Sequence, residues 1–223
     1  MLKHLSIILS TTLVIAVLAF FSYGALEPQF AKAVTAQVIV TLNVTQGISL
    51  SNSGDTTMST ALGITQNSAI ATSTWTVITN DSAGYTLAMT STGTPAMQMS
   101  PTPTFSIADY QKAAPSIWVA TSGSAYFGYT AFGTDTSTGS WGTGAACGAS
   151  ANGTSTTLKY QGLATSSAAY ISQVNAASRT STTTPTGVTT TVCFAVEQNN
   201  FFVPTPTASA AYKATVVGTA LAS

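Results

Sequence analysis

Between Val34 and Val44 every even-numbered residue is apolar: Val34, Ala36, Val38, Val40, Leu42 and Val44. The odd positions are polar except Ile39. Alternation with period two puts one set of side chains on each face of an extended chain. At about 3.3 Å per residue such a strand would reach roughly 36 Å. A chain that alternates in this way is committed to sheet, and later segments repeat the pattern. Thr74–Thr79 and Tyr85–Thr90 flank Asn80-Asp81-Ser82-Ala83-Gly84, a run of turn residues. They predict a hairpin in which Trp75, Val77, Tyr85, Leu87 and Met89 cover one core face.

Further strands are expected at Ile117–Ala120, Ala125–Phe132, Leu158–Gln161, Val188–Glu197 and Tyr212–Val217. Ala168–Val174 fits a strand or a short helix, and Ile107–Tyr110 reads as one helical turn. Pro95, Pro101 and Pro103 mark a loop, as do the Gly, Ser and Thr residues of 133–153. Ser and Thr make up about 30% of the chain, and threonine suits a half-wet pleated face. About nine strands without a long helix predict an all-β protein, a single Greek-key sandwich of the Ig-like or jelly-roll-like kind.

The N-terminus has a different character. Lys3 and His4 precede an almost continuous apolar run, Leu5–Phe21, followed by small residues up to Ala31-Lys32-Ala33. That order is the pattern of a secretory signal helix, with cleavage best placed after Ala33 and with Ala25 or Ala36 as alternatives. An uncleaved anchor is the competing reading, since the run is near the lower limit for a membrane span. The expected organisation is a signal or anchor segment at 1–33, an N-terminal strand at 34–45 and a β-sandwich at 46–223. Either reading places the mature chain outside the cytoplasm, secreted or at the cell surface, with membrane contact only through an uncleaved leader.

Charge then narrows the function. Residues 34–223 hold nine charged side chains and no histidine: Asp55, Asp81, Asp109, Lys112, Asp135, Lys159, Arg179, Glu197 and Lys213. Charged residues are 5% of the chain, against about a quarter in ordinary proteins. A serine nucleophile lacks its histidine base, and pairings with Lys112, Lys159 or Lys213 would be fortuitous. The carboxylates are scattered over separate segments, which disfavours a glycosidase pair. Asp135-Thr136-Ser137-Thr138 lacks the repeated carboxylates of a calcium loop. No catalytic, cofactor or metal site is therefore expected. The net charge is zero, and without a basic patch nucleic acid is not an expected partner.

Two cysteines, Cys147 and Cys193, are expected to form a disulfide in an oxidising compartment. Asn43, Asn80 and Asn152 each begin a glycosylation sequon. Tyr126, Phe127, Tyr129, Phe132 and Trp141 are candidate surface aromatic contacts for a cell-surface glycan, with core packing as the competing role.

Three segments carry a resemblance: Trp75–Asp81 with Gly84–Leu87, Phe127–Asp135, and Val192–Gln198. They resemble uncharacterised secreted β-sandwich surface proteins of bacteria, a group that implies no active site. A looser likeness is to pilin-type subunits that polymerise by donating an N-terminal strand. Val34–Val44 then reads either as the first strand of its own sandwich or as an assembly strand that completes a neighbour's sheet. The expected function is a structural subunit of an extracellular filament, pilus-like fibre or surface layer whose partners are copies of itself. The alternative is a monomeric adhesin or glycan-binding sandwich.

Overall fold

The structure is a computed structural model. It describes residues 14–16, 18, 38–81, 83–101, 103–110, 113–147, 157–163, 169–174, 186–205 and 210–222. The chain divides into two compact units, Met1–Asn43 and Val44–Ser223. In the first, residues 14–16 and 18 are helical, and residues 38–43 belong to no strand. The expected signal segment and its cleavage position lie almost wholly outside the described residues.

The second unit is all-β. Its strands are β1 (Ile48–Asn52), β2 (Ser68–Thr79), β3 (Tyr85–Ser91), β4 (Met97–Ser100), β5 (Ser106–Asp109), β6 (Ser116–Ile117), β7 (Ser124–Gly133), β8 (Lys159–Tyr160), β9 (Ala169–Val174), β10 (Val188–Asn199), β11 (Ala211–Lys213) and β12 (Val216–Ala222). One short helix, α1 (Thr138–Trp141), begins at Ser137, whose side chain accepts from the Ser140 amide. The strands form a seven-stranded sheet in the order β1-β2-β10-β7-β5-β4-β11 and a three-stranded sheet in the order β12-β3-β9. A two-stranded pair, β6-β8, is separate. The large sheet is mixed, because β5 runs parallel to β7.

The expected β2–β3 hairpin does not form. β2 pairs with β1 on one edge, Trp75 opposite Asn52 and Thr79 opposite Ile48. It pairs with β10 on the other, from Val77 opposite Val188 to Ser68 opposite Glu197. Both edges are filled, so β3 leaves for the second sheet and pairs with β12 and β9. The turn residues serve that crossover. Asp81 accepts from the Ala83 amide through its carboxylate and from the Gly84 amide through its carbonyl, and Gly84 takes a φ of 94°. The shared core face survives in another form. Trp75, Val77, Tyr85, Leu87 and Met89 are buried in one cluster across the two sheets.

Other expectations shift for similar reasons. Residues 106–109 are strand β5, because the Tyr110 amide and the β5 backbone bond along β7. Ile117 belongs to a strand paired with β8, away from β7. The stretch 212–217 is two strands in different sheets, β11 against β4 and β12 against β3. Strands β1 and β4 were not expected: each is a short run with two apolar residues, and Pro95 and Pro101 beside β4 read as loop markers.

β7 separates two cores. Phe127, Tyr129 and Ala131 face the main cluster with Val192, Phe194 and Val196 of β10. On the opposite face lies a second cluster of Tyr110, Trp118, Leu158, Tyr160 and Ala195. Gly128 sits opposite Ala195, and the two small residues leave a slot for Trp118. The indole stacks on Tyr110 at 4.5 Å and meets Tyr160 edge-on at 5.1 Å. A Cβ on Gly128 would fall 2.9 Å from both the Trp118 ring and the Gln161 carbonyl oxygen.

Cys147 and Cys193 are bonded to each other. The bond ties the loop after α1 to the middle of β10 across 46 residues of sequence. Replacing both cysteines by serine should lower unfolding stability by about 2–4 kcal/mol, measured by denaturant titration of the oxidised protein and the variant. Gly128→Ala should cost about 1–3 kcal/mol in the same assay, since the Trp118 slot has no room for a methyl group.

Candidate assembly surface

The described part of the predicted assembly strand, Val38, Val40, Leu42 and Val44, is not in a strand. Val34 and Ala36 lie outside the described residues. Residues 38–47 carry no sheet pairing, and their apolar side chains face solvent, Val38 at 85% and Leu42 at 83% exposure. The first strand of the large sheet starts later, at Ile48. Water-exposed Val, Ile and Leu in succession are unfavourable by about 25 cal/mol per Å² of apolar surface left uncovered.

The C-terminal end of this segment is fixed. The Asn80 side chain donates to the Thr45 carbonyl at 2.8 Å and accepts from the Gly47 amide at 2.7 Å. The Thr79 hydroxyl donates to the Gly47 carbonyl at 2.9 Å, and the Gln46 amide donates to Asp81. The β2–β3 crossover thus clamps Thr45–Gly47. Asn80 is occupied in holding the backbone, although it begins a sequon. Asn43 is exposed, and Asn152 lies outside the described residues.

Among the described residues β1 pairs only with β2 and β12 only with β3, so that at one side of the second unit each sheet ends in an edge strand. Between these edges lies a cleft of about 300 Å³ lined by Leu50, Asn52, Trp75, Val216, Val217 and Gly218. Trp75 packs so closely on Gly218 that a Cβ there would fall 2.4 Å from the indole. β12 alternates half-buried and exposed residues, with Val217 and Leu221 outward.

The aromatic set is not a surface platform. Phe127, Tyr129 and Trp141 are buried, and Tyr126 and Phe132 are half-buried against the second cluster. Both faces of β7 pack against clusters, so only Tyr126 and Phe132 of its aromatic residues keep partial access to solvent. Tyr129 and Trp141 pack with ring centroids 5.1 Å apart. Burial raises the Tyr129 phenol well above its ordinary pKa.

Among the described residues no three His, Cys, Asp or Glu side chains gather into a metal-binding group. Among the described residues Glu197 is the carboxylate most removed from solvent. It sits in β10 with 3% exposure and accepts from the Trp118 indole. Burial raises its pKa, and the indole donation partly offsets this. Asp135 is raised for the same reason, offset by the Tyr85 hydroxyl. Sequence reasoning had no signal for the Glu197–Trp118 contact, which joins residues 79 positions apart.

No family model, curated protein or solved structure matches this chain.

The pH dependence follows from the two carboxyls. Each binds its proton more tightly folded than unfolded, so the stability these two groups contribute is fully present below the ordinary carboxylate range. It falls as pH rises through the raised folded values. Glu197→Gln should therefore raise Tm at pH 7 by about 2–4 °C and leave it near wild type at pH 4. Thermal scans across that range check it, and an equal effect at both pH values would contradict the assignment.

Proposed function

We propose that the protein is a structural subunit of an extracellular filament, pilus-like fibre or surface layer, assembled from copies of itself by strand addition. The observation that carries this is the exposed apolar run Val38–Val44, anchored at Thr45–Gly47 and outside any strand. Such a segment gains backbone pairing and apolar burial only from a partner. Donation from one copy to the next does not close on itself and so builds a fibre.

The all-β unit suits that role, and we read it as a Greek-key-like sandwich. The disulfide suits an oxidising location outside the cytoplasm. The scarcity of charge favours a material role over catalysis. Burial of Phe127, Tyr129 and Trp141 weighs against the glycan-binding alternative.

Negative-stain imaging of the purified mature protein tests the reading. Filaments or sheets are expected, and deletion of residues 34–45 should abolish them. A truncated chain that still polymerises, or a full chain found only as discrete particles, would overturn it.

A further inference from the structure

The sheet edges of the second unit are not protected alike. Edge strands are ordinarily shielded by Lys, Pro, brevity or a covering segment. β11, at the far edge of the large sheet, has three residues and carries Lys213. β1 and β12 carry no charge and no proline. β12 is seven residues long, and its Val217 and Leu221 are 42% and 57% exposed. Beside it the Trp75 cleft opens between the two sheets.

The chain also carries an occupant of matching character. Val34–Val44 has apolar side chains at every second position and bears no charge, as β12 bears none. Neither surface offers a charge that would be stranded by burial. We propose that the free edge of β12 receives residues 34–44 of a second copy as an added strand. The even-numbered side chains of that strand would cover Leu50, Trp75 and Val216. This rests on the assembly reading above and specifies its acceptor. Gly218 is the position that sets the fit, since it brings the Trp75 indole up to the β12 backbone.

The test uses the full chain. Val40→Cys is labelled with a benzophenone maleimide, Cys147 and Cys193 being bonded to each other. Equal amounts of ¹⁵N-labelled and unlabelled protein are assembled, irradiated and mapped by mass spectrometry. Cross-links between copies, concentrated on 48–52 and 216–222, are expected. Cross-links within one copy, or centred on β11, would overturn the proposal. A second arm replaces two residues of the added strand together, Val40→Lys and Leu42→Lys, which are exposed at 88% and 83% in the single copy and would be buried against Leu50, Trp75 and Val216 in the assembly. Thermal stability should stay near wild type while assembly falls by about tenfold or more, as a stranded charge requires. Undiminished assembly of that variant would sink the β12 site. Filaments without the expected cross-links overturn the acceptor alone, whereas absence of filaments from the wild-type chain overturns the subunit reading as well.

Discussion

The large sheet depends on the pairing of β10 with β2 and β7. β10 bonds to β2 over Val188–Glu197 and to β7 over Thr190–Asn199. From Val192 to Gln198 every residue is buried. A strand covered on both faces must satisfy all its backbone groups through its neighbours, because water cannot reach them. Its side chains divide the interior: Val192, Phe194 and Val196 enter the main core, whereas Ala195 and Glu197 meet the Trp118 cluster. Cys193 adds a covalent tie to the loop after α1. Loss of this strand would open both clusters at once.

The same arrangement accounts for which strands lie at the edges. β10 draws β2 into the centre, and β2 then accepts β1 as its outer partner. β3 has no place beside β2 and starts a second sheet whose edge is β12. The two outer strands meet around Trp75 and leave a cleft. Along that side, among the described residues, the uncharged backbone edges of β1 and β12 remain. An apolar segment that precedes β1 remains uncovered as well, held at its root by Asn80 and Thr79. Unpaired strand and unpaired edge are complementary deficits, and pairing between copies would relieve both.

Much of the strand content was legible because threonine and β-branched residues alternate over β2, β3, β7 and β10. The composition of the Trp75–Met89 core face was legible for the same reason. Its geometry was not, since a run of turn residues serves a tight hairpin and a sheet-to-sheet crossover equally well. The aromatic residues of β7 looked divisible into a buried and an exposed face, as period two requires. A second cluster covers the other face, assembled from Tyr110, Trp118, Leu158 and Tyr160, which no local pattern links. Asp109 and its neighbours looked helical because four residues carry too little periodicity to separate helix from strand.

By itself the sequence determined that the chain is all-β, that Cys147 and Cys193 form the disulfide, and that the 38–44 segment is apolar at alternate positions. These follow from side-chain chemistry and from spacing along the chain. Tertiary structure alone decided which strands are neighbours, that Glu197 is buried beside Trp118, and which edges stay open. Edge pairing is a competition among all strands for the same backbone groups, and its outcome depends on contacts between residues far apart in sequence.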